Sequence, residues 1–172
     1  MSNSSENGGS PNTRPKPFVF VLMPFASEFA DLYRYGIQKA AEDAGAYAER
    51  VDEQHFDGSI LSRIVNQINK ADVIVADMSG KNPNVFYEVG YAHALGKRVV
   101  LLTKDVADIP FDLKHHQHTT YDGSSDSLRP KLARALAAAI QEVQSGKPLL
   151  DNRRLVVSIN DVELTPNALG QI

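Results

Sequence analysis

The run Val73-Ile74-Val75-Ala76, closed by Asp77 and followed by a polar loop and a helix, narrows this chain to few folds. A short apolar run without polar alternation is what a parallel strand buried on both faces requires. The loop that follows is rich in Ser, Gly and Asn. Pro83 has its ring pre-set for a first helical position, and Asn82 before it suits an N-cap. Gly96 marks the far end of that helix. Val85, Glu88, Ala92 and Leu95 fall at helical spacing, which places a carboxylate within an otherwise apolar stripe.

The same alternation runs through the rest of the chain. Phe18 to Met23 is a continuous apolar strand stopped by Pro24. Glu28 to Ala44 reads as a helix ended by Gly45, and Ala46 to Val51 as a weaker second strand. Asp52 to Gly58 is a polar loop, and Ser59 or Asp57 suits the cap of a helix carrying Ile60, Leu61, Ile64, Val65 and Ile68. After the central stretch come a fourth strand, Arg98 to Thr103, a loop containing Pro110, a short fifth strand, His118 to Tyr121, and an alanine-rich helix, Ser127 to Val143. Pro130 is expected in the first turn of that last helix.

Strands alternating with helices give an α/β domain, and five short strands suit a flavodoxin-like or Rossmann-like, doubly wound, mainly parallel sheet of order 2-1-3-4-5 with helices on both faces. The expected organisation is a disordered tail over 1–17, the α/β domain over 18–146, and a C-terminal extension over 147–172. The extension carries a possible strand pair, Leu155–Ile159 and Val162–Leu164, turning at Asn160-Asp161.

In this topology the loops after strands one and three meet at the carboxyl ends, where such sheets bind ligands. The segment Met23 to Ser27 and the segment Asp77 to Asn84 are therefore expected to face each other across a crevice, with Asp52, Glu53 and His55 near its rim. Pro24 and Phe25 from the first loop and Ser79, Asn82 and Asn84 from the second are the candidate substrate contacts. Phe25 suits stacking on a base or packing in the core. Asn82 and Asn84 suit reading sugar hydroxyls or capping the helix. Asp77, at a strand end, suits contact with a ligand or bonding to loop amides.

Several chemistries fail on residues. The chain has no cysteine, so thiolate chemistry and cysteine-based zinc sites are excluded. The turn Met-Pro-Phe-Ala-Ser has no glycine, against a dinucleotide fingerprint or a Walker loop. It has no acidic pair, against a phospho-receiver, and no G-x-S-x-G elbow occurs. His115, His116 and His118 lie in a loop without acidic partners and read as solvated. No cofactor or metal is called for. A net charge of −3 argues against binding nucleic acid or an anionic membrane surface. The absence of a membrane span or signal peptide leads to the expectation of a cytoplasmic protein.

Carboxylate chemistry remains. Glu88 suits a nucleophile or electrostatic partner for a sugar, beside an anomeric carbon with oxocarbenium character. The plainer alternative is a helix-surface residue, or one paired with Lys97 or Arg98. As an ionised nucleophile it would need hydrogen-bond donors around it. Tyr87 and Tyr91, on another face, read as packing or subunit contacts, and His93 as a surface or interface histidine.

The segment Glu88-Val89-Gly90-Tyr91-Ala92-His93-Ala94-Leu95-Gly96-Lys97 resembles the nucleoside 2-deoxyribosyltransferase-like superfamily, in which E-x-G-Y-A…G-K carries the catalytic glutamate. Ala71 to Asp77 and Asn82-Pro83-Asn84-Val85 resemble the preceding loop of many bacterial members. The resemblance implies cleavage of an N-glycosidic bond in a nucleoside, nucleotide or NAD-like small molecule. Glu88 would attack the anomeric carbon, and water or a second base would resolve the intermediate. Asp77, Asn82 and Phe25 match by location the residues that orient the substrate. A homo-oligomer with a neighbouring subunit completing the site is also implied. The first loop departs from the family's nucleotide hydrolases in lacking glycines, Asn82 stands where transferases tend to carry an aspartate, and residues Leu155 to Ile172 have no counterpart. The fold and the helix glutamate also resemble TIR domains, some of which cleave NAD, but the W-C-x-x-E form is absent. The alternatives are thus a TIR-like NAD glycohydrolase or a non-catalytic nucleotide-sensing module that signals by assembly.

Overall fold

Strands β1 (Phe18–Leu22) and β3 (Val73–Asp77) are buried at every position, as their unbroken apolar runs require. They form the centre of a five-stranded sheet in a computed structural model that describes residues 15–53 and 59–146 and the backbone of 157–159 and 162–164. The other strands are β2 (Tyr47–Glu49), β4 (Arg98–Thr103) and β5 (His118–Thr120). The order is β2-β1-β3-β4-β5 and every pairing is parallel, as the sequence pattern predicts.

Because side chains alternate along a strand, each strand feeds two cores. Val19, Val21, Val73, Val75, Val100 and Leu102 pack beneath α1 (Lys39–Asp43) and α4 (Ser125–Gln144). Phe18, Phe20, Leu22, Ile74, Ala76 and Leu101 pack beneath α2 (Ile60–Lys70) and α3 (Pro83–Ala94). Helices cover both faces, which makes the sheet doubly wound.

Three local expectations change. The single helix expected from Glu28 to Ala44 is a 3-10 turn at Ser27–Phe29, a π-helical segment at Leu32–Gln38 and α1. The wider winding puts Leu32, Tyr33, Gly36 and Ile37 on one buried face with i, i+4 and i+5 spacing. Gly36 allows the close approach to α4, since a Cβ there would stand 3.3 Å from Leu128 Cδ2. The last helix starts two residues early because the Ser124 hydroxyl caps it, accepting from Ser127 N at 3.1 Å. That leaves Pro130 inside the helix rather than in its first turn. Finally, the buried stripe of α3 is Val85, Val89 and Ala92. Glu88 borders it and Leu95 is exposed, because the helix meets the sheet about one residue position round from the expected line.

In the extension, β6 (Val157–Ile159) and β7 (Val162–Leu164) pair antiparallel, within the bounds expected of a strand pair. The expected turn at Asn160-Asp161, the loop residues 54–58 with His55 and Asp57, and the tail residues 1–14 lie outside the described residues. No helix among the described residues is long and apolar enough to cross a membrane.

Candidate active site

The cavity that holds Glu88 opens at the carboxyl end of β1, between α2 and α3. Its volume is about 460 Å³, within the range of small-molecule sites. One wall is the end of β1 and its loop, through Met23, Pro24 and Phe25. A second is Val51, Ile60, Leu61 and Ile64. The third is the first two turns of α3, with Asn82, Asn84, Val85, Tyr87 and Glu88. Five of the residues singled out from sequence, Pro24, Phe25, Asn82, Asn84 and Glu88, are thus brought together.

The start of α3 explains how the amides sit. Asn82 is the N-cap, and its Oδ1 accepts from Asn84 N at 2.9 Å and Val85 N at 3.4 Å. Pro83 occupies the first helical turn, where its missing N–H costs nothing. The capping role foreseen for Asn82 is present, and the side chain lines the cavity as well.

Glu88 is half-buried in the second turn. Burial pushes its carboxyl up to about 7. Among the described residues no hydrogen bond or ion pair offsets that desolvation. The donors expected around an ionised nucleophile are therefore not supplied there, and the helix dipole weakens beyond the first turn. The plainer pairing with Lys97 or Arg98 does not occur either. Lys97 Nζ donates to the carbonyls of Asn69 and Ala71, and Arg98 pairs with Glu142 at 3.1 Å. Glu88 can thus exchange a proton near neutral pH.

Asp77 and Ser79 stand elsewhere. Both are buried and neither lines the cavity. Asp77 accepts from Tyr121 Oη at 2.7 Å and from Ser79 N at 3.0 Å. Ser79 Oγ accepts from Lys104 N at 2.9 Å. Burial, followed by the Asp77 charge, raises the Tyr121 hydroxyl far above its ordinary value, so it remains a donor. These contacts tie the β3–α3 loop to the ends of β4 and β5. Gly80 turns the loop at φ +74°, and its N–H donates to Asp108 at 2.8 Å.

Two residues were not foreseen, one lining the cavity and one behind its first loop. Tyr87, assigned to packing or subunit contact, lines the cavity and is largely exposed. Its neighbour Glu88 was the signal available for it. Arg50 is buried behind the first loop. Its Nε and Nη2 donate to Asp52 at 2.6 and 2.7 Å, and Nη1 donates to the Pro24 carbonyl at 3.3 Å. Its guanidinium lies 5.5 Å from the Phe25 ring centroid and 4.6 Å from that of Tyr33. No periodicity marks such a buried cation. Among the described residues no group of three His, Cys, Asp or Glu side chains is placed to hold a metal ion.

Comparison with known proteins adds the following. The family described as Nucleoside 2-deoxyribosyltransferase matches residues 20–154. No curated protein sequence matches. Among solved structures, a 2-desoxiribosyltransferase from Leishmania mexicana aligns with a TM-score of 0.52 at 19% identity, covering 70% of this chain and 98% of that one. A 2-deoxyribosyltransferase from Bacillus psychrosaccharolyticus aligns with a TM-score of 0.49 at 16% identity, covering 65% and 90%. The Leishmania likeness is one of fold.

Proposed function

The chain belongs to the nucleoside 2-deoxyribosyltransferase family, a family of glycosyl-transferring enzymes, and from that premise we propose that it cleaves the N-glycosidic bond of a nucleoside through Glu88. The observation that carries the reading is the placement of this half-buried carboxylate in a cavity with an aromatic ring and two amide side chains.

The ionised carboxylate attacks the anomeric carbon as the bond to the base breaks, giving a glycosyl ester on Glu88. A second base, or water, then attacks the same carbon and releases the glutamate. A carboxyl titrating near 7 is ionised in about half of the molecules at neutral pH. Phe25 and Tyr87 offer faces for a base, and Asn82 and Asn84 offer amide groups for sugar hydroxyls. Asp77 and Ser79 act one step removed, holding the loop that presents Asn82. Phe25, Ile60, Leu61 and Tyr87 expose apolar surface around the opening, which supports a second copy closing the site.

Charge supports a nucleoside over a nucleotide or NAD. Glu88 is the one charged residue among the described residues that line the cavity, and Arg50 behind the first loop is already paired with Asp52. The first amides of α3 are occupied by Asn82, so they are not free for a phosphate. The TIR-like glycohydrolase and the sensing module draw no support from the comparisons.

Base exchange tests the reading. The wild type, incubated with a panel of 2′-deoxynucleosides and a different free base, should yield new nucleosides by mass spectrometry. Glu88→Gln should lower the rate by about three orders of magnitude, ~4 kcal/mol of barrier. Neither exchange nor release of free base from any substrate would refute it.

A further inference from the structure

A second concavity, of about 520 Å³, lies between the β4–β5 edge and α4 and shares no residue with the Glu88 cavity. Its lining gathers cations. Arg98 comes from β4, His118 from β5 rather than from the solvated loop expected for it, and Lys131 and Arg134 from one face of α4. Glu142 is the one carboxylate among the described residues of the lining and is already engaged with Arg98. Lys131 donates to the Thr120 carbonyl and Arg134 to the Pro130 carbonyl, and neither has an ion pair among the described residues. In a chain of net charge −3, such convergence is not a consequence of overall composition.

A second observation points to the same groove. Arg98 Nε and His118 Nε2 are the two buried side-chain polar atoms without a hydrogen-bond partner among the described residues, and both residues line it. A buried polar atom left unpaired within the chain is costly, and a bound group that pairs with it removes that cost. The Arg98 side chain as a whole is about a third exposed, and its Nη2 is held by Glu142 at the groove.

We propose that this groove binds a phosphate group. A hydrogen phosphate has acceptor oxygens for Arg98, Lys131 and Arg134 and a hydroxyl that can serve His118 Nε2 as donor. Charge-assisted bonds of this kind are the strong ones, and the arginine fork suits phosphate oxygens. Thr119, Thr120 and Gln117 supply further polar groups in the lining.

An amide-shift titration of the isotope-labelled full chain with inorganic phosphate tests this, with ionic strength held constant by sodium chloride. Saturable shifts are expected in residues 98–100, 117–120 and 131–142. In the double variant Lys131→Gln/Arg134→Gln, both positions being exposed on α4, affinity should fall about tenfold or more. Glu88→Gln should bind phosphate as the wild type does, which separates this groove from the catalytic cavity. A parallel titration with ribose 5-phosphate identifies the source: tighter binding assigns the groove to phosphorylated metabolites, and equal affinity to the free ion. Shifts that do not saturate, or full affinity in the double variant, would overturn the proposal.

Discussion

Glu88 reads differently once its surroundings are known. From spacing alone it interrupts an apolar stripe; in the fold it borders the stripe and faces the cavity. Its proton affinity follows from burial without compensation. The linkage has a definite sign. The folded carboxyl holds its proton up to about 7, against 4.5 for an ordinary glutamate, so the folded state binds more protons than the unfolded chain between those values. Stability attributable to this group is therefore lost as pH rises through that window. Glu88→Gln should raise the urea midpoint more at pH 8 than at pH 5. Catalysis has the opposite dependence, because the nucleophile must be ionised. The wild-type kcat/KM should climb with an apparent pKa near 7, a limb that steady-state rates across pH 5–8 would reveal. Burial was hard to read from one position. Period counting finds which residues share a face, but not that the helix meets its sheet slightly round from the expected line.

At the level of elements, the start of α3 carries Glu88 and both cavity-lining amides, and with the loop before it this was the most legible part of the chain. Asn82-Pro83 gives both the cap and the first turn of α3. Asn82→Ala should cost about 1 kcal/mol in denaturant unfolding, through the lost cap. It should also weaken substrate binding, seen as a raised KM, because the same amide lines the cavity. Gly80→Ala, forcing a Cβ into φ +74°, should cost about 1–2 kcal/mol by the same measurement. The first helical region was less legible. Its apolar residues suit an α-helix nearly as well as the π winding observed, which brings Leu32, Tyr33, Gly36 and Ile37 to one buried face. Arg50 escaped notice for a related reason: Asp52 is close to it in sequence, but the contacts that tie it to the first loop, Pro24 and Phe25, are not.

Across the whole molecule, two cores on either side of one parallel sheet fix the strand order, and that order follows from three apolar runs and the helices between them. The order in turn brings the first loop and the start of α3 together. Which members of the second loop reach the cavity does not follow from topology. Asp77 and Ser79 turn inward to Tyr121 and Lys104, and those partnerships arise from β4 pairing with β3 and β5 with β4. The charge of the described lining makes a further prediction. A 2′-deoxynucleoside should be used at least about tenfold better, in kcat/KM, than its 5′-monophosphate, since the phosphate gains no cation there and meets Glu88. The central claim, a covalent role for Glu88, is tested most directly by peptide mapping of enzyme quenched during turnover of a 2′-deoxynucleoside without an acceptor base. The account predicts a deoxyribosyl ester on the peptide bearing Glu88, absent from Glu88→Gln; turnover that persists in Glu88→Gln would contradict it.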